Sequence, residues 1–475
     1  MALTKYLPGS VRELWSVAFP LMLSSFCLLA MVFTDRVFLA HYSGEAMCAA
    51  LTAGTAAWAV AGSLLIFASM AEVYVAQYNG AGKFDQLGRP VWQMVYFALA
   101  SSLLFLAIGT WGGPLLFKGS ANEALEVEYF YWFMAFGFSW PLLSALSTFF
   151  IGQGKTQVLM WLSLLANALN ILLDWLLIFG IEGWLEPMGV KGAAIATNIG
   201  NLFQVVILLV LFLKRANRER YGTSNFRFDL FLFRKCLKVA VPQTALYFIE
   251  MVGFTLFYLM LGRAGPEALF IGGAAQSVII LFFFACEGMG RGAIAVAGNF
   301  IGAGQGKEVF KVFRAGLKIH IAFGLILSLF LVFFPDLLLN LFLHDSFAFT
   351  GMEMSEEVIA GMRSTLLIVY ALSLAYLFLE GIRWLISGIL TAAGDALFLL
   401  SAGAAGVAFA LLLPTYWLIV HLNYGAVCAF AITSGFAAFV GLANGLRLWS
   451  GRWQKINLVD TALSLEGAAL PEAAD

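Results

Sequence analysis

Six acidic residues, Asp35, Glu72, Asp174, Glu250, Glu287 and Glu380, stand in stretches otherwise too apolar to hold a charge. An ionised side chain in hydrocarbon costs roughly 2.5–3.5 kcal/mol on insertion scales, so each needs a partner or a task. Asn170 precedes Asp174 by four residues, which puts both side chains on one helical face. Together with Asp35, which follows the kink-capable Pro20, they form an oxygen-rich set suited to a small hard cation. The Thr197 hydroxyl and the backbone carbonyl of Ala193, one turn earlier, would complete it, because hard cations take several oxygen ligands. The competing reading has Asp35 and Asp174 at helix ends in water. Apolar residues before each, and a turn or more after each, count against it.

In the second half, Glu250 sits in Tyr-Phe-Ile-Glu-Met-Val-Gly-Phe with no base within reach along its own helix. It is expected to be a counter-charge for a cationic substrate or a second coupling site. Glu380 has Arg383 three residues on and Glu287 has Arg291 four residues on, so local ion pairs would neutralise either acid. Asp395, after Ala393-Gly394, fits a helix N-cap as well as a site acid. Glu72 has no partner visible in the sequence. Arg36 adjoins Asp35 but points about 100° away on a helix and is expected to snorkel, while Asn167 is expected to make a structural bond between helices.

These residues need helices in a membrane to position them. Hydrophobic residues make up 61% of the 475 positions and charged residues 12%, against about 25% charged in soluble domains. Runs longer than the roughly 18 residues of a spanning helix recur throughout, and lipid admits only helices or closed barrels. The expected fold is an all-α integral membrane protein with twelve transmembrane helices, near 14–40, 46–76, 90–110, 127–151, 157–180, 190–213, 239–262, 267–300, 312–334, 360–391, 396–420 and 425–448. The apolar run after Pro20 lacks a cleavage signature and reads as a retained first helix.

The basic segment Lys214 to Lys238 is the longest polar break and divides six helices from six. Ser16 to Pro20 recurs as Lys238 to Pro242, and Gly80-Ala81-Gly82 as Gly302-Ala303-Gly304, both at a spacing of 222. Two matches at one offset indicate an internal repeat of two six-helix lobes, with a midplane site at their interface. Gly192-Ala193 and Gly425-Ala426 correspond at a longer offset, the extra residues falling in the outer loop from His344 to Glu357. The organisation is an N-lobe at 1–213, a linker at 214–238, a C-lobe at 239–450 and a tail at 451–475. Of the 27 Lys and Arg, the outer loops hold only Lys118, Lys191, Arg263 and Arg363, and Arg36, Arg291, Lys318 and Arg383 fall within helices. The remainder share the side of both termini, which predicts cytoplasmic termini and linker.

Several functions are excluded or disfavoured. Net charge is −1, which suggests no nucleic-acid partner. Gly152-Gln153-Gly154-Lys155-Thr156 lacks the spacing of a phosphate cradle, so ATP-driven pumping by this chain alone is disfavoured. No HExxH, DDxxD-like or Ser/Lys constellation is present, the four His are isolated, and the five Cys read as apolar fillers. An enzyme is not expected, nor any cofactor beyond a coupling cation. The 13 Trp and 45 Phe would allow an aromatic cavity for flat organic cations.

The chain resembles the MATE (multidrug and toxic compound extrusion) transporters from about Arg12 to Arg447. The residues that carry the resemblance are Pro20 to Asp35, Gln77 to Gly82, Asn170 to Asp174, Gly189 to Thr197, Phe248-Ile249-Glu250, Ala275-Gln276, Phe300 to Gly304, and Ser387 to Leu390 through Gly394-Asp395. The resemblance implies a bacterial inner-membrane antiporter, expected as a monomer among lipids, that alternates between outward- and inward-open V shapes. It would export cationic, amphipathic compounds against Na+ or H+. It assigns Asp35, Asn170, Asp174, Ala193 and Thr197 to a first-lobe cation site. Glu250, Glu380 and Asp395 match second-lobe acids, with Gln276 beside them, and the coupling lobe stays open. Glu72, Glu287, Arg291 and Arg36 depart from the family pattern. The alternative is a lipid-linked oligosaccharide flippase of the same superfamily, whose cavity would be more basic.

Overall fold

A computed structural model describes residues 3–334 and 356–459. Within them twelve helices are long and apolar enough to cross a membrane. We number them α1 (Val11–Tyr42), α2 (Gly44–Gly80), α3 (Phe84–Leu116), α4 (Glu123–Gly152), α5 (Gln157–Phe179), α6 (Gly189–Phe212), α7 (Leu230–Ala264), α8 (Pro266–Gly302), α9 (Gly306–Leu331), α10 (Gly361–Ala392), α11 (Ala396–His421) and α12 (Ala426–Trp449). The expected all-α fold and helix count hold. The insertion placed between His344 and Glu357 falls mostly outside the described residues, as does the tail beyond 459.

The segment 214–238 was expected to be a polar linker, and much of it is helical. A short helix spans Arg215–Tyr221, and α7 begins at Leu230. The reason is local. Asp229 occupies the α7 N-cap, its carboxylate accepting the Phe231 and Leu232 amides at 3.0 Å, which satisfies donors that otherwise have no intrahelical partner. Arg89 of α3 grips the same carboxylate at 2.6 Å, and Trp92 donates its indole N–H to the Thr223 carbonyl at 2.9 Å. The Leu232 amide bond, ahead of the Arg89 charge, holds the Asp229 carboxyl below the usual carboxylate range.

The internal repeat is visible in the backbone. Pro20 in α1 and Pro242 in α7 lie inside their helices at matching positions. The turns after α2 and α8 reverse at Gly82 (φ 73°) and Gly304 (φ 74°), and those after α4 and α10 at Gly154 (φ 70°) and Gly394 (φ 84°). Left-handed backbone here suits glycine, which lacks the Cβ that would clash.

Packing divides the molecule unevenly. One continuous core takes residues from both halves, including Val17 and Leu21 of α1, Val73 and Tyr74 of α2, Met289 and Val296 of α8, and Ile389 and Leu390 of α10. All these lie towards the linker side. On the far side the halves keep separate cores, one built on Ala53, Phe105, Phe130 and Ile178, the other on Phe257, Val369, Phe430 and Phe436. Two lobes that share a core at one end and part at the other make a V.

The apex of the V is built twice over by repeat-related residues. Gln77 of α2 donates its side-chain amide to the Ala392 carbonyl at the end of α10, at 2.7 Å. Its mate in the repeat, Asn299 of α8, donates to the Gly152 carbonyl at the end of α4, at 2.9 Å. Between them Gly80 lies on the Asn299 backbone and Gly302 on the Gln77 backbone, where a Cβ at either glycine would collide with the facing carbonyl.

Candidate functional site

Each lobe buries a cluster of ionisable groups, and the two are chemically opposite. In the N-lobe, α1 supplies Asp35, α5 supplies Asn170 and Asp174 one turn apart, and α6 supplies Thr197. Asn170 and Asp174 are fully buried, while Asp35 and Thr197 are nearly so. Thr197 donates its hydroxyl to Asp35 Oδ2 at 2.8 Å. The Asp35 and Asp174 carboxyls and the Asn170 amide lie beside one another. Five polar atoms there have no hydrogen-bond partner among the described residues: Asp35 Oδ1, both Asp174 oxygens, and Asn170 Oδ1 and Nδ2. Buried polar atoms are nearly always satisfied. Two carboxylates with three unpartnered oxygens, and no ion-pair partner among the described residues, therefore fit a hard cation or a shared proton. Ala193, buried on α6 one turn before Thr197, sits beside this set without contributing a side-chain ligand. Arg36 is exposed. Asn167 spans helices, donating to the Cys27 carbonyl at 2.8 Å.

In the C-lobe Glu250 has no base within reach along its own helix, as read from the sequence, but one reaches it from another helix. Arg383 of α10 reaches across to α7 and donates to Glu250 Oε1 at 2.7 Å and Oε2 at 3.3 Å, while its Nε donates to Glu380 Oε2 at 2.9 Å. Trp384 adds its indole N–H to Glu380 Oε1 at 3.0 Å. The sequence separation of 133 residues concealed this contact. The expected local pair of Glu380 with Arg383 is present, but the same guanidinium also serves Glu250. The C-lobe set of Glu250, Glu380, Asp395 and Gln276 is not brought together. Asp395 lies at the linker-side end of α10, fifteen residues beyond Glu380 or about 22 Å along a helix. There Arg447 of α12 holds its carboxylate through Nε at 2.6 Å. Gln276 is half-buried on the far-side part of α8. The expected pairing of Arg291 with Glu287 is also corrected: Arg291 contacts Glu72 on the other lobe, at 3.5 Å.

Two lobes fused at one membrane face and parted at the other, with buried ionisable clusters, define a multi-pass membrane transporter. A family model, MatE, matches residues 20–176 and 242–417, and the chain belongs to that family. It is 28% identical over 349 residues to a probable multidrug resistance protein NorM of Thermotoga maritima, covering 71% of this chain and 73% of that protein. It is 27% identical over 354 residues to the like-named protein of Geobacillus kaustophilus, covering 73% and 77%. Among solved structures, an outward-facing conformation of a multidrug resistance MATE family transporter matches with a TM-score of 0.78 at 17% identity, covering 95% of this chain and 97% of that one.

Proposed function

We propose that this protein is an antiporter that exports cationic, amphipathic organic compounds in exchange for Na+ or H+, with the coupling cation taken at Asp35, Asn170, Asp174 and Thr197. The observation that carries this reading is the set of unpartnered buried oxygens in the N-lobe. Such a site is stable in a membrane only when a cation or proton neutralises it. A ligand moves a two-state equilibrium only through differential affinity, so a cation that binds one lobe arrangement more tightly drives the exchange. The names of the NorM relatives support multidrug substrates. A lipid-pyrophosphate cargo is less well served, because the cleft base Arg291 is engaged by Glu72.

The excess of Lys and Arg at the linker side supports cytoplasmic termini and a V that opens outward, in a bacterial inner membrane. Proteoliposomes with Na+ and H+ gradients imposed separately test the exchange. One gradient should drive export by the natural chain, and Asp35→Asn and Asp174→Asn should each abolish it. Gradient-dependent export by both variants at the natural rate would sink the assignment. Orientation is tested by single cysteines at the exposed Ser224 and Ser120 in a background lacking the native five. An impermeant reagent applied to intact cells should modify position 120 and spare 224, and the reverse pattern would invert the topology.

A further inference from the structure

Between the lobes, just beyond the shared apex, stands a third group of charges that neither lobe's cluster uses. Glu72 of α2 is almost fully buried and one of its oxygens, Oε1, has no partner. Its other oxygen receives Arg291 of α8 at 3.5 Å, a long single contact for a guanidinium capable of a bidentate pair. Arg291 keeps a quarter of its side chain accessible. One helical turn from Arg291 towards the open end, on the same face of α8, stands Glu287, half-buried. Gly288 packs on Met22 of α1 and Gly290 on Trp384 of α10, so this part of α8 lies between the lobes with Glu287 at the floor of the V. Beside it the hydroxyl of Tyr247 of α7 and the indole nitrogen of Trp58 of α2 meet over Gly62. A Cβ there would come within 2.7 Å of the Tyr247 hydroxyl and 3.4 Å of the Trp58 indole nitrogen. Glu287 is within electrostatic reach of that tyrosine.

We infer that Glu287, with the Tyr247 and Trp58 rings, is the cleft carboxylate that receives a monovalent aromatic cation, and that Arg291 links its occupancy to closure of the apex. The inference rests on the antiport reading above and names which residues meet the cargo. With Arg291 engaged by Glu72, Glu287 has no ion-pair partner among the described residues, and a single organic cation balances its charge. Aromatic faces add cation–π attraction to such a ligand. With Glu287 occupied, Arg291 stays with Glu72 and ties α2 to α8 across the lobes. Once the cation leaves, Arg291 turns to Glu287 on its own helix, an i,i+4 exchange that needs no backbone movement, and the tie between lobes is released. Cargo therefore favours the arrangement closed at the apex, as export requires.

The test uses the purified full-length chain and tetraphenylphosphonium as the probe cation. Glu287→Gln should weaken its binding at least tenfold while leaving an uncharged aromatic dye unaffected. Cysteines at the apex ends of α2 and α8, read by double electron–electron resonance, should show the probe raising the closed population in the natural chain. Arg291→Met and Glu72→Gln should lose that response, and the natural circular dichroism of Glu72→Gln would show that the loss is not misfolding. If Glu287→Gln binds the probe as the natural chain does, or if the probe closes Arg291→Met normally, the inference is overturned while export by the natural chain leaves the antiport reading standing. A natural chain that neither binds nor exports any organic cation would overturn both.

Discussion

The N-lobe and C-lobe each hold two carboxylates within their spanning helices, and they differ in where the neutralising charge comes from. Glu250 and Glu380 have Arg383 covalently built into α10, held through both carboxylates. Asp35 has the Thr197 hydroxyl, neither Asp35 nor Asp174 has an ion-pair partner among the described residues, and three of their four oxygens stand unpartnered. A carboxylate pair that carries its own guanidinium is complete without a ligand, whereas one that lacks it must exchange a cation with water. Under the proposed antiport, one lobe thus holds a fixed ion cluster and the other an exchangeable one. We propose from this difference that coupling lies in the N-lobe.

The sharpest way to break this comparison is to remove the acids of the exchangeable cluster. Asp35→Asn or Asp174→Asn should reduce gradient-driven export to the level of empty vesicles with expression unchanged, as measured in proteoliposomes. Glu250→Gln should preserve ion dependence and slow export at most a few-fold, since Arg383 still has Glu380. Loss of ion dependence in that variant would move coupling to the C-lobe.

Removing the fixed charge should act on stability. Arg383→Met leaves two buried carboxylates facing each other, and breaking a buried pair costs about 3–5 kcal/mol. Its unfolding temperature in detergent should fall steeply, and a second substitution, Glu250→Gln, should recover part of the loss. A natural unfolding temperature for Arg383→Met would show that the cluster is not held by that guanidinium.

A smaller conformational effect is expected at the apex that both lobes share. Gly80→Leu places side-chain atoms against the Asn299 backbone, where even a Cβ collides. Cysteine accessibility at the linker-side end of α8 should rise as the apex is forced apart, with little change in expression. The smallest effect is expected at Asp229. Asp229→Ala should cost about 1 kcal/mol, the typical worth of an N-cap. Because the folded carboxyl sits below its ordinary range, the contribution is present above about pH 3.9 and disappears as pH falls through the lowered folded value. The natural chain should lose this increment on acidification and the variant should have none to lose.

The comparison also shows what was legible in the sequence. Helix number followed from the length of apolar runs, and the repeat followed from Pro20 with Pro242 and Gly80 with Gly302, because turn and kink chemistry is local. The N-lobe set was legible for a similar reason. Asn170 and Asp174 share a face of one helix, and an acid in an apolar run is conspicuous. Arg383 with Glu250 was not legible, nor Arg291 with Glu72, since a guanidinium reaches partners on any neighbouring helix and sequence shows only those three or four residues away. Asp395 illustrates the same limit in reverse. Its place after Gly394 was correct for a helix start, but its carboxylate serves Arg447 rather than the helix amides.

The central claim is that the N-lobe carboxylates are neutralised by an exchangeable cation from outside the protein. Hydrogen exchange of the purified chain, followed by mass spectrometry with and without Na+ and across a pH series, measures this without assuming the ion. The account predicts that Na+ or acidification slows exchange in α1, α5 and α6 around Asp35, Asp174 and Thr197, leaves α7 and α10 around Glu250 and Arg383 unchanged, and loses its effect in Asp174→Asn. Protection confined to α7 and α10, persisting in Asp174→Asn, would contradict it.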